Sequence, residues 1–107
     1  GATPLSLASG NGHMEAVKFL IDAKAKLEAR DDEHGQTSLT WSSKNGHAEA
    51  VKYLIGAKAN LEAKDNYGNT PLAFASYHGN VDAVKYLVEA KANLEAKDIE
   101  FGGNSSS

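Results

Sequence analysis

The 107-residue sequence predicts an all-α solenoid, in which helix-turn-helix units stack side by side and are linked by β-hairpin-like loops. Two observations predict it. Thr3, Thr37 and Thr70 open the related segments TPLSLAS, TSLTWSS and TPLAFAS at spacings of 34 and 33 residues, and Gly12, Gly46 and Gly79 recur at the same two spacings. The nonapeptide AKANLEAKD stands at 57–65 and again, letter for letter, at 90–98, with the variant AKAKLEARD at 23–31. A period of this length marks units that cannot bury their apolar stripes alone and must stack to form a continuous core. The alignment gives an array over 1–101, with repeat 1 at 1–31, repeat 2 at 32–64, repeat 3 at 65–97 and the start of a fourth loop at 98–102. Residues 102–107 are read as a flexible tail or linker.

Within each unit the elements follow in order. Thr at the N-cap offers its hydroxyl to the free amides of the first turn, and Pro4 and Pro71 occupy the first helical position, where a missing N–H costs nothing. A short helix of about two turns is expected at Pro4–Gly10, Ser38–Lys44 and Pro71–Tyr77. Gly12, Gly46 and Gly79 supply the positive φ of a tight turn. A second helix follows, starting near His13, His47 or Asn80, with an acid in its first turn (Glu15, Glu49, Asp82) and apolar residues at Val17, Leu20, Ile21 and their equivalents on one inward stripe. The loop from Leu27 to Thr37, like that from Leu61 to Thr70, holds an Asp and a Gly separated by polar residues, as a hairpin tip requires. The one extra residue of the longer repeat falls between Arg30 and Gly35, where a loop tip tolerates it best.

Composition fits this architecture. Leu, Ile, Val and Phe make up about a fifth of the chain, a low share, and 17 Ala supply small contacts suited to closely packed helices. A net charge of -3 with both signs interspersed gives no positive field for nucleic acid or anionic lipid. The absence of Cys excludes disulfides and thiolate metal sites and fits a reducing compartment. No apolar run is long enough to span a membrane, and no charged-then-apolar leader is expected. An intracellular, cytoplasmic protein is expected.

These residues resemble the ankyrin-repeat family. Gly35-Gln36-Thr37, Gly68-Asn69-Thr70-Pro71-Leu72, Gly12-His13, Gly46-His47 and the VKFLI, VKYLI and VKYLV helices fall into the family's columns across three units. The resemblance implies a slightly curved stack of L-shaped units, with hairpin tips to one side, short helices on a concave face and longer helices behind. It also implies protein–protein recognition. Two departures stand out. The family's motif His is replaced by Ser6, Thr40 and Ala73, with a modest loss of stability expected. The Gly that ends the second helix in the family is Lys24, Lys58 and Lys91 here. Each Lys is expected to adopt the left-handed conformation all the same, at about 1–2 kcal/mol, offset in part by its charge near the helix C-terminus.

Catalysis is not indicated. His13 and His47 occupy equivalent columns, about 10 Å apart if helix packing sets the distance, too far to share an ion bound at about 2 Å. Their plain role is to start helices. No cofactor, metal or small-molecule substrate is expected. The Glu15–Lys18, Glu49–Lys52 and Asp82–Lys85 series, and Glu28, Glu62 and Glu95 beside Arg30, Lys64 and Lys97, read as solvated faces with weak pairs. Trp41 shares its column with Leu7 and Phe74 and reads as buried between repeats; Phe19, Tyr53 and Tyr86 read as packing.

Recognition is sought where the repeats disagree, because columns free of packing duties can diverge toward a partner. These are the hairpin tips (Asp32, Glu33, His34 and Gln36; Asn66, Tyr67 and Asn69; Ile99, Glu100 and Phe101) and the ends of the short helices (Gly10 and Asn11; Lys44 and Asn45; Tyr77 and His78). Tyr67, Tyr77 and His78 are expected to form a contact cluster. A non-catalytic scaffold that binds an unknown protein partner is the first reading. The alternative is a structural spacer with no partner of its own, as the near-identity of the repeats favours. Gly1 falls midway through a hairpin loop and the fourth loop has no helices after it, so a fragment of a longer array is expected, either monomeric or weakly self-associating end to end. Asn104-Ser105-Ser106 fits a glycosylation acceptor but lacks any secretory context.

Overall fold

The computed structural model describes residues 2–90, and over these the chain is six helices with no strand. They run α1 (Pro4–Gly10), α2 (Met14–Asp22), α3 (Ser38–Asn45), α4 (Ala48–Gly56), α5 (Pro71–Tyr77) and α6 (Val81–Glu89). Each short helix pairs with the longer one after it, α1 stacks on α3 and α3 on α5, while α4 lies between α2 and α6. The result is two layers: short helices on one face, long helices on the other.

The helix starts follow from the threonines. Oγ1 of Thr3 accepts from the amide of Ser6 at 3.0 Å, Thr37 from that of Thr40 at 3.4 Å and Thr70 from that of Ala73 at 3.2 Å. The motif-His column is put to other use. Oγ of Ser6 lies 3.2 Å from that of Ser38, linking the first turns of α1 and α3. His13 and His47 start their helices without a side-chain cap bond.

Helix ends share one geometry. The amide of Ala25 donates to the carbonyl of Leu20 at 3.0 Å and that of Lys24 to Ile21 at 2.9 Å, the paired bonds of a Schellman exit, which requires a left-handed residue at Lys24. Its φ is 71°, and Lys58, in the same motif with Ala59 and Leu54, has φ 75°. Both therefore take the left-handed conformation expected of them; Lys91 lies outside the described residues.

The core runs between the layers. Leu5, Leu39, Val17, Val51, Leu54 and Leu87 are fully buried, with Ala8, Ala50, Ala75 and Ala83 filling the close approaches. Small residues at these crossings let helices pack tightly. Phe19 departs from the packing expected of it and is 77% exposed. Tyr53 and Tyr86, in its column, are half-buried beneath the ammonium groups of Lys18 and Lys52, 5.9 and 5.6 Å from their ring centroids. Each of these Lys belongs to the repeat before the ring that it covers. The same reach corrects the expected ion pairs: Lys18 and Lys52 turn to the next repeat's ring and not to Glu15 and Glu49. Nor are Glu28 and Arg30 merely solvated. Glu28 accepts from the amide of Asn60 at 2.7 Å, and Arg30 donates to the carbonyls of Gly35 and Lys64, so both tie one loop to the next. Glu95 and Lys97 lie outside the described residues.

Candidate functional site

The loops between repeats are built on buried aspartates. Oδ1 of Asp31 accepts from the amides of His34 at 2.7 Å and Gly35 at 2.8 Å, and its Oδ2 accepts from the indole of Trp41 at 2.9 Å. Asp65 repeats the device with the amides of Tyr67 and Asn69, both at 2.9 Å, and with Nε2 of Gln36 at 3.3 Å. Burial alone would raise both carboxyls. The hydrogen bonds that these carboxylates accept outweigh it, the backbone amides leading and Trp41 and Gln36 adding to them, and hold both below the ordinary value of 3.8. The extra residue of the first loop sits at its tip, where the carbonyl of His34 accepts from the amide of Asn66 at 2.8 Å.

On this frame the positions singled out in the sequence separate into two groups. At the tips, Tyr67 is 71% exposed and lies 6.1 Å from the ring of His34, which has Glu33 at 3.9 Å and Asn66 alongside. On the face of the short helices, Tyr77 is 85% exposed and meets the His78 ring edge-on at 5.1 Å. The His78 ring in turn stacks on Phe74 at 6.4 Å. Tyr67 makes no ring contact with Tyr77, so the expected trio is divided between tip and inner face.

Three positions expected to be free of packing carry bonds between units or within a loop. Gln36 is only 4% exposed, because it bridges Asp65 and Nζ of Lys44, which donates to its Oε1 at 2.8 Å. Asn45 donates to the carbonyl of Gly10 at 2.8 Å, as Asn80 does to Ser43 at 2.7 Å, which satisfies the open C-terminal carbonyls of the short helices. Asn69 gives both its carbonyl and its amide to Asp65. Ile99, Glu100 and Phe101 lie outside the described residues, as does Asn104.

Trp41, like Phe19, departs from the burial expected of it. It lies against the preceding repeat but is not buried there. Its ring rests on Gly10, where a Cβ would come within 2.7 Å of Cε3, and Nζ of Lys44 stands 5.1 Å from the ring centroid. Partly exposed, it continues a line from Leu7, which is 48% exposed, to Phe74, also partly exposed. The signal for this was present in the helical period. Leu5, Ala8 and Ser9 define the core stripe of α1 at i, i+3, i+4, and Leu7 falls off it, as Trp41 and Phe74 do in their helices. The inner face thus carries an apolar line across three units with a single cation, Lys44, among its helical residues.

The outer face offers a groove of about 520 Å³ between α2 and α4, lined by Met14, Lys18, Ile21 and Tyr53, with Gly56 leaving one wall short. Among the described residues the buried polar atoms without a partner, Oγ of Ser9, Oγ of Ser43 and Nδ1 of His34, lie elsewhere. Among the described residues no group of three His, Asp or Glu is placed to hold a metal ion, and no helix is long and apolar enough to cross a membrane.

Comparison with known families matches residues 5–98 to the family model described as ankyrin repeats in three copies. No curated protein matches the chain.

Proposed function

The chain belongs to the ankyrin-repeat family, whose members are generally protein–protein interaction modules and typically non-catalytic, and from that premise we propose that it is a scaffold that binds a protein partner through its inner face and hairpin tips. The observation that carries this reading is the Tyr77–His78–Phe74 ring cluster, continuous with the line of Trp41 and Leu7. Exposed aromatic area of this kind favours a binding surface over a solvated one. Tyr77, His78 and Lys44 are the inner-face contacts, and Glu33, His34, Asn66 and Tyr67 the tip contacts. Gln36, Asn45 and Asn69 hold those groups in register and offer whatever edges remain exposed.

The test is capture of a partner by the chain and by a Tyr67→Ala/Tyr77→Ala variant of unchanged far-ultraviolet circular dichroism. Loss of capture in the variant supports the reading. Equal capture by both proteins, or none by either, counts against it. The near-identity of the copied segments favours the alternative, a spacer within a longer array with no partner of its own. On either reading the chain is monomeric or self-associates weakly end to end; sedimentation showing a strict monomer at millimolar concentration would exclude self-association.

A further inference from the structure

The spacing and charge of the inner face specify the shape of what it binds. Helices in contact pack with axes about 8–10 Å apart, and α1, α3 and α5 are successive neighbours in one layer. Leu7, Trp41 and Phe74, in equivalent columns, therefore recur at about that interval. A β-strand places same-face side chains at about 7 Å and then 13 Å, out of step with this interval. An α-helix returns to the same face after seven residues, about 10.5 Å, beyond the upper end of this interval. A polyproline-II segment has three residues per turn and about 3.1 Å rise, so every third side chain returns to the same face at about 9 Å.

Charge adds a second constraint. The chain is acidic overall and both signs are spread over its long helices, yet Lys44 is the one charged side chain in α1, α3 and α5 together. Its ammonium gives one hydrogen bond to Gln36 and stands over Trp41, which leaves donors free beside the middle of the apolar line. Polyproline II has no internal hydrogen bonds, so a bound segment needs donors for its carbonyls. Tyr77, 85% exposed, carries a hydroxyl that can give one. Aromatic-lined surfaces suit this conformation, whose backbone loses little entropy on binding.

We propose, resting on the inner face being the binding surface, that the partner is an extended polyproline-II segment with apolar side chains at every third residue, Leu7, Trp41 and Phe74 each receiving one, and an acidic residue opposite Lys44. The sole Trp of the chain lies in the middle of this line and reports occupancy directly.

The experiment titrates Trp41 emission, with calorimetry alongside, using three synthetic peptides of equal length and charge. The first is a proline-rich segment with Leu at i, i+3 and i+6 and one Glu. The second carries the same Leu residues at i, i+2 and i+4 in a β-forming background, and the third an amphipathic helix with Leu at i and i+7. The first is expected to bind about tenfold tighter than either other. Replacing its Glu by Gln weakens binding to the unaltered protein and to Lys44→Arg, but not to Lys44→Met, while Phe19→Ala on the outer face changes nothing. Equal or tighter binding of the strand or helix peptide overturns the proposal, as does a Glu-to-Gln loss that persists in Lys44→Met or no signal from any peptide. None of these results decides whether a protein partner is bound, which rests on the capture experiment.

Discussion

Nε1 of Trp41 donates a 2.9 Å hydrogen bond to Oδ2 of Asp31, ten residues earlier in the chain. This bond joins the loop that separates two repeats to the inner face that the short helices form. The same carboxylate closes the loop on itself through two backbone amides, so one buried acid fixes both the hairpin tip and the orientation of the indole. Loop architecture and surface shape are therefore coupled through Asp31.

Replacing Asp31 by Asn should cost about 2 kcal/mol, because an amide nitrogen then faces either the indole N–H or the loop amides, all of them donors. Trp41 emission should shift to the red as the ring loosens. Urea unfolding followed at Trp41 measures both effects. An unchanged midpoint would show that the loop does not depend on the carboxylate.

Acid should destabilise the fold through Asp31 and Asp65. Both carboxyls are held below 3.8 in the folded chain, while in the unfolded chain they titrate near about 3.9. The unfolded state then binds protons first as pH falls. The contribution is complete above about pH 5 and drains away as pH drops through the folded values. Stability measured from pH 7 to pH 3 should fall less steeply for the Asp31→Asn/Asp65→Asn double variant; parallel curves would assign the acid sensitivity to other groups.

Lys24→Gly and Lys58→Gly should each raise stability by about 1 kcal/mol. Both positions have positive φ, 71° and 75°, where glycine avoids the Cβ clash but loses part of the gain to its freer unfolded chain. Thermal unfolding would show an increase of about 4–8 °C for each. A decrease would mean that the Lys charge at the helix end outweighs the backbone strain.

Ser43→Ala should stabilise the middle unit. Its hydroxyl is buried without a partner, as is that of Ser9, and removing an unsatisfied hydroxyl recovers about 1 kcal/mol. Ser42, whose Oγ bonds the carbonyls of Ser38 and Leu39 at 3.1 Å, is the control. The same change there should bring no gain. If the two variants behave alike, helix propensity and not polar burial governs this helix.

Repetition made most of the fold legible in the sequence. The Thr caps, the glycine turns and the apolar stripes are local rules, enforced by hydroxyl geometry, positive φ and helical period, and three copies of each leave little freedom in how they assemble. The left-handed conformation of Lys24 and Lys58 was legible only through the resemblance, because the family carries Gly in that column. The polar residues that differ between copies were not legible in this way. Gln36 and Asn45 resemble free surface positions in one dimension, yet a variable side chain can equally bridge to a neighbouring unit. Only the tertiary structure decides this, because the bond partner lies in another repeat. Trp41 shows the same division. The helical period places it off the core stripe and brings Lys44, three residues on in the same helix, over its ring, but its partly exposed seat on Gly10 and its bond to Asp31 exist only when two repeats pack. Sequence alone determined what each unit is, since its terms are local. The inner face was decided by contacts across the junction between units.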